Sequence, residues 1–376
     1  MKVVPDFVGW WSAFDHPLRR LPRWAAAIVL ILTVALCVWS VPAEYHYGHH
    51  AVAVNKARLK RGDRRDMDLY KTIDQRVANG ENYWHAALAE QRKSRYPTRP
   101  FIAVRPPTLA WASLLLGLTG WLVVAIGLWG VTVFGTIPFL KRRTIMIERL
   151  GAAAAAGVFG TVDFIKQVGL SHEILAGAFL SAALVVYRPR RWWPALLLAA
   201  CGLAIRELAL PFVLLWALFA ASQRRWREFA AVTAVVALFA IGMALHAEEV
   251  IAQRLPGDLH SPGWTGMQGL PFTLYGLMSV TPLGKNLPYW LGPPLLLLPM
   301  LGWAALGGRK GLFATLWFGG FLLGVSLFAR QENFYWLSLV LPAYGAGLAL
   351  APRAIYDLVS ALRRPRRAAS AGFQAA

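Results

Sequence analysis

The chain predicts an all-α polytopic membrane protein with about ten transmembrane helices and a long first extracytoplasmic loop that contains a surface helix. Three observations predict it. Of 376 residues, 57% are hydrophobic and only 15% charged, and the mean hydropathy is +0.46. Apolar runs near the ~20-residue length of a bilayer crossing recur along the whole chain. Lys and Arg cluster in the short connectors between those runs, as the positive-inside rule requires. That placement accounts for the net charge of +20 without a nucleic-acid partner; the expected partner is the bilayer itself.

Residues 1–24 read as an amphipathic segment on the inner leaflet, with Trp10, Trp11 and Trp24 at headgroup depth. They lack the pattern of a cleavable signal peptide. The transmembrane domain runs over 25–355. Its predicted spans lie near 25–42, 109–135, 147–166, 172–187, 192–205, 208–222, 228–246, 288–306, 312–329 and 334–352. A cytoplasmic N-terminus puts Arg19, Arg20 and Arg23, then Lys141, Arg142 and Arg143, then Arg188, Arg190 and Arg191 on the inside. Arg224, Arg225 and Arg227, Arg309 and Lys310, and the basic cytoplasmic tail of 356–376 follow on the same side. Arg206-Glu207 joins the fifth and sixth spans without turn residues, so the two are either one broken helix or two helices meeting in an outer bend. The charge rule favours two, because 188–191 and 223–227 belong on one side.

The outer face then carries the loop of 43–108, whose excess of Lys and Arg attracts phosphate headgroups. Within it, Leu69, Ile73 and Val77 recur at i, i+4 and i+8, which predicts a helix over Asp66 to Val77, lying on the membrane surface and stopped by Gly80. Asp66 or Asp68 caps its start. Pro107 fits the first turn of the second span. The later outer stretch, 247–287, includes LPGDLHSPGWTGMQGL, which reads as a mobile loop, with His260 and Trp264 as candidates to line an acceptor cleft. Asp163 and Lys166 have the spacing of a helical ion pair, and Ser171 and Glu173 the positions of a cap and a first-turn acid. YHYGHH at 45–50 matches no zinc spacing, and Cys37 and Cys201 no disulfide or zinc pattern.

DMDLYKTIDQRVANGENY has an acid, a Tyr four residues on, a short amphipathic helix and Gly-x-x-Tyr. It resembles the first extracytoplasmic loop of polyprenyl-phosphate-sugar glycosyltransferases of the GT-C fold. YPTRPFIAVRPPTLAW resembles the Tyr/Pro-rich return of that loop to the membrane. HEILAGAFLSAALVVYRPRRWWPALLLAACGLAIREL and RQENFYWLSLVLPAYGAGLALAP resemble the family's mid-chain and closing spans, so the likeness covers roughly 25–355. It implies an inverting transferase of the bacterial inner membrane, with both termini cytoplasmic. A sugar would pass from a polyprenyl-phosphate donor to a glycan or lipid acceptor on the outer side.

By position the resemblance makes Asp66, with Asp68 as competitor, the general base that takes the acceptor's proton. Tyr70 and Tyr335 become substrate contacts, and Arg206 and Arg330 the cations that stabilise the departing phosphate, with Lys285 and Arg105 in reserve. A charge flanked by apolar runs as Arg206 is costs about 2.5–3.5 kcal/mol to insert at a helix centre. Its neighbour Glu207 is a poor partner if both are helical, since adjacent residues point about 100° apart. Some relatives use a divalent metal such as Mg or Mn, but no oxygen-ligand set is legible, so the metal stays unassigned. The competing classes are a transporter or lipid flippase, and an O-antigen ligase or polymerase. The first usually shows repeats and mid-membrane charges, and the second a large late loop.

Overall fold

The computed structural model describes residues 16–60 and 66–364. The inner-leaflet reading of 1–15, the basic residues Arg61, Arg64 and Arg65, and the end of the tail lie outside the described residues. So does the side chain of Asp163, and with it the predicted pair to Lys166. Among the described residues every regular element is helical.

Two kinds of helix build the molecule. Four are long and apolar enough to cross a membrane: α1 (Arg23–Lys60), α4 (Thr108–Leu140), α9 (Trp226–Ala252) and α13 (Gly308–Phe328). A fifth crossing is available if the bent pair Gln331–Val340 and Ala343–Arg363, at 71°, counts as one. Each long helix turns large apolar side chains outward: Ile31 and Val38 on α1, Leu115 and Phe134 on α4, Leu238 and Ile241 on α9, Leu323 on α13. In water such a surface would drive association; in lipid it is solvated.

The second kind is short and enclosed. Helix α6 (His172–Val186) buries thirteen of its fifteen residues, and α7 (Trp193–Ile205) and α12 (Gly292–Leu306) pack in the same core. Helices therefore form where each predicted span was placed, but most are shorter than a crossing. Glycines let the closest approaches occur. A Cβ on Gly302 would lie 1.9 Å from the Gly347 carbonyl oxygen, and one on Gly177 would lie 2.3 Å from that of Ser338. Trp303 then donates to Tyr344 O (3.1 Å) and the Tyr344 hydroxyl to Leu296 O (2.5 Å), which satisfies polar atoms inside the apolar core.

Several expectations are corrected. The first loop does not begin at 43, because α1 continues through Pro42 to Lys60, with Tyr45 stacked on His49 (4.4 Å) and Ala51 fully buried. The predicted helix over 66–77 is α2 (Asp66–Ala78), and Gly80 follows in the left-handed region (φ 88°). Its apolar stripe does not face lipid, however. Leu69, Ile73 and Val77 are buried against Tyr83, Ala86 and Leu88 near and on α3 (Tyr83–Lys93), together with Val104, Ala110 and Val250. Part of the outer stretch is a helix, α10 (Gly269–Val280), with Phe272, Leu274 and Leu277 buried. The short α11 (Leu283–Asn286) follows it. The start of the tail is likewise a helix, α14 (Ala351–Arg363), whose Asp357 accepts from His16 Nδ1 (2.9 Å).

The mobile-loop reading of 255–268 also gives way. Asp258 forms a two-pronged pair with Arg92 (2.7 and 3.0 Å), and that guanidinium holds its carboxyl well below the usual carboxylate range. Leu259 O accepts from Thr98 N (3.1 Å), Ser261 N donates to Arg99 O (2.6 Å), and Met267 N donates to Leu327 O (3.0 Å).

Gly302→Val should lower the thermal unfolding temperature of the detergent-purified protein, with a stability loss above the ~1–3 kcal/mol of ordinary overpacking, since backbone and not a pliable side chain opposes the new methyls. Wild-type melting in that variant would contradict the close approach of Gly302 to Gly347.

Candidate functional site

The end of α8 (Leu210–Ser222), the end of α6 and the start of α9 all reach one end of the bundle; the candidate residues gather at the other. Their placement begins with α3. Asn82 caps it by accepting from His85 N (3.2 Å), and Arg76 of α2 is bound to both Glu81 (2.6 Å) and Glu90 (2.9 Å). The two helices are thereby fixed as one unit. From it, Tyr83 donates its hydroxyl to Arg105 O (2.7 Å) and Gln91 donates to Ala103 O (3.1 Å). On the other side His246 of α9 pairs through Nε2 with Val104 O (3.0 Å), its Nδ1 accepting from Trp84 (3.0 Å). Three successive carbonyls are pinned, and Arg105 is aimed inward.

There it joins a buried ion cluster. Arg206, 1% exposed, donates through Nε to Glu173 Oε1 (2.7 Å) and through Nη1 to Glu207. Arg105 approaches Glu207 (3.4 Å) and Glu173 (3.7 Å). Two guanidinium groups thus face two carboxylates, and the cluster is neutral. The Arg206 guanidinium also lies over the Trp336 ring, 5.6 Å from its centre. The expectation that Glu207 is a poor partner fails because Arg206 is not helical. α7 ends at Ile205, Arg206 is extended (φ −146°, ψ 118°), and the chain restarts through Glu207–Ala209 into α8. α7 begins just past Pro189 and α8 ends just before Gln223, and these two residues line one cavity, so the chain reverses at Arg206. The favoured reading of two helices holds.

Around the cluster stand the aromatic and acidic groups. Tyr70 and Arg105 act on each other electrostatically, and the Tyr70 ring lies 4.9 Å from that of His172. Burial pushes the Tyr70 hydroxyl up, Arg105 opposes this and Asp66 adds to it. Asp66 also acts electrostatically on Tyr335, and its Oδ1 accepts from the Tyr96 hydroxyl at 2.5 Å. Asp68 is exposed on the far side of α2. Some buried polar atoms lack partners among the described residues: Arg105 Nε, Trp336 Nε1 and Gln331 Nε2 as donors, Glu207 Oε2 as acceptor.

Of the sequence candidates, Asp66, Tyr70, Arg105, Arg206 and Tyr335 are brought together. Two are not. Lys285 is exposed on α11. Arg330 occupies the turn after α13, with its amide bonded to Asn333 Oδ1 (3.3 Å). No hydrogen bond or ion pair joins its guanidinium to the cluster among the described residues. Tyr96, His172, Glu173 and Trp336 were missed as site residues. Glu173 had a signal, a lone acid at the head of an apolar run, but Ser171 beside it makes no side-chain cap. Trp264, proposed for an acceptor cleft, lies 5.9 Å from the Trp336 ring; His260 is exposed. No group of three or more His, Cys, Asp or Glu suited to a metal occurs among the described residues.

A cavity of about 10 Å³ lies between Tyr70, Asp74, Tyr83 and His172, on the scale of a single water. Comparison with known families, curated proteins and solved structures returns no match to this chain.

Asp74 borders that cavity, and burial raises its carboxyl from 3.8 to about 6 against a smaller opposing bond from Ser113. The folded state therefore keeps a proton that the unfolded chain has released, so stability falls as pH rises from about 4 to about 6. Asp74→Asn should raise the melting temperature near pH 7.5, by no more than about 3 kcal/mol of stability, and leave it unchanged below about pH 4. Melting curves at the two pH values check this; a gain of equal size at both would contradict it.

Proposed function

We propose that the protein is an integral membrane glycosyltransferase, moving a sugar from a polyprenyl-phosphate donor to a glycan or lipid acceptor. One observation carries the reading. A carboxylate at the head of α2 is brought, through Tyr70 and Tyr335, into the surroundings of two buried arginines drawn from distant segments. In the proposed step the acceptor oxygen bonds to the anomeric carbon as the bond from that carbon to the lipid phosphate oxygen breaks. Asp66 takes the acceptor's proton through Oδ2, with Tyr96 holding Oδ1. The electron pair leaves on the phosphate. Arg105 and Arg206 stabilise it, and the unpartnered Arg105 Nε and Trp336 Nε1 offer N–H groups to its oxygens.

The cluster is neutral before donor arrives, so the phosphate would have to compete with Glu173 and Glu207 for the guanidinium groups. Arg330 and Lys285 drop from the proposed machinery on their placement, and Asp68 on its exposure. The proposed frame keeps about ten crossings, counting the short helices, with the candidate site at the outer face of a bacterial inner membrane and both termini cytoplasmic.

A transporter or flippase is the second reading; it would draw support from one broken helix at Arg206, and the chain instead reverses there between two helices. The charges here stand at one end of α6, α7 and α8 and not midway along them, which favours the enzyme.

Purified protein incubated with radiolabelled polyprenyl-phosphate sugars and a membrane extract should transfer label. Asp66→Asn should reduce transfer by about 10²–10⁴-fold, while Asp68→Asn stays near wild type. Undiminished transfer in Asp66→Asn removes the base, and movement of intact substrate across sealed vesicles without transfer supports the transporter.

A further inference from the structure

A cavity lies at the end of the bundle opposite the ion cluster, between the end of α6, the inner face of α8 and the first turn of α13. Its volume, about 370 Å³, falls in the range of small-molecule sites, ~300–1,000 Å³. Its interior is apolar and aromatic: Phe139, Phe212, Trp216, Phe219 and Phe313. Its mouth is cationic, with Arg142, Arg143, Arg225, Arg309 and Lys310 against a single lining carboxylate, Glu228.

Glu228 is already committed. It is 2% exposed, pairs with Arg225 (2.9 Å), and accepts from Trp216 Nε1 (2.6 Å) and the Tyr187 hydroxyl (3.0 Å). Its charge is spent on Arg225, which leaves an excess of positive charge around the opening. The positive-inside rule explains why cations gather at this end of the bundle. It does not explain an aromatic chamber beside them. Buried Gln223 Oε1, on the wall, has no donor among the described residues, so the site also offers an acceptor to a hydroxyl.

We infer that this cavity binds an amphiphile with a phosphate headgroup, the phosphate held by Arg142 and Arg309 at the rim and the apolar chain lying among the aromatic rings; Lys310 is already bonded to Phe139 O (2.6 Å). Guanidinium forks match phosphate oxygens, and a zwitterion's own cation opposes them. A glycerol or phosphate hydroxyl would satisfy Gln223. The site is independent of the sugar-transfer reading, which concerns the other end of the same helices.

The test uses the full chain in uncharged detergent, titrated with a lysophosphatidic acid, a lysophosphatidylcholine of the same chain, and inorganic phosphate. The lysophosphatidic acid should bind about tenfold more tightly than the choline lipid, and inorganic phosphate should not compete with it. The Arg142→Gln/Arg309→Gln double variant, altered only at exposed side chains, should weaken binding about tenfold or more. Arg190→Gln/Arg191→Gln removes equal charge from the same end but outside the cavity, and should leave affinity unchanged. Competition by farnesyl phosphate separates isoprenoid from acyl chains, and success with either keeps the phosphate amphiphile. Equal loss in the control pair reduces the effect to general attraction of anionic lipid, and equal binding of the choline lipid or of bare phosphate removes the headgroup or the chain; any of these overturns the proposal.

Discussion

Two arginines and two glutamates buried together set the terms for the rest of the molecule. A lone guanidinium in such surroundings is unaffordable, and removing one member of a buried pair costs about 3–5 kcal/mol because its partner is stranded. Arg105, Glu173, Arg206 and Glu207 must therefore arrive together. α6 has to begin at this point, α7 has to end here, and the loop before α4 has to return to the same depth. The pinning of residues 103–105 by Gln91, His246 and Tyr83 follows from that demand, since a guanidinium on a loose strand would not hold its place. A cluster of zero net charge is also self-sufficient, so it stabilises the fold without any ligand. Whatever chemistry occurs there works by disturbing a balance already struck.

The same reasoning divides what the sequence makes legible from what it hides. Apolar length and basic connectors place nearly every helix, because these are local properties of a chain in lipid. The choice between Asp66 and Asp68 was open on motif alone, yet the helix period carries it: Asp66 is three residues before Leu69 and seven before Ile73, on the stripe that is buried, whereas Asp68 is not. Glu207 was set aside on a helical assumption, and the backbone at Arg206 breaks that assumption. Glu173 read as a dipole-compensating acid because spacing cannot reveal a partner on another helix. α10 escaped notice since its twelve residues are too few for a crossing and contain Gly and Pro. The anchoring of 255–268 rests on Arg92 and Asp258, whose meeting no local pattern announces.

The protein is thus polarised along its helices. One end is aromatic and tightly bonded around paired charges; the other is basic and hollow. α6 and α8 run between them, so their two ends share a rigid core through residues such as Leu180, Val213 and Phe212. Packing of this density transmits displacement poorly unless whole helices move.

The brevity of α6 has a further consequence. Fifteen residues measure about 22 Å at 1.5 Å per residue, whereas the hydrocarbon slab is ~30 Å thick. In the proposed frame of about ten crossings, α6 would therefore leave at least one tip below the level of the headgroups. A donor tethered to a hydrophobic tail would then approach that tip by diffusing within its own leaflet, without being drawn out into water.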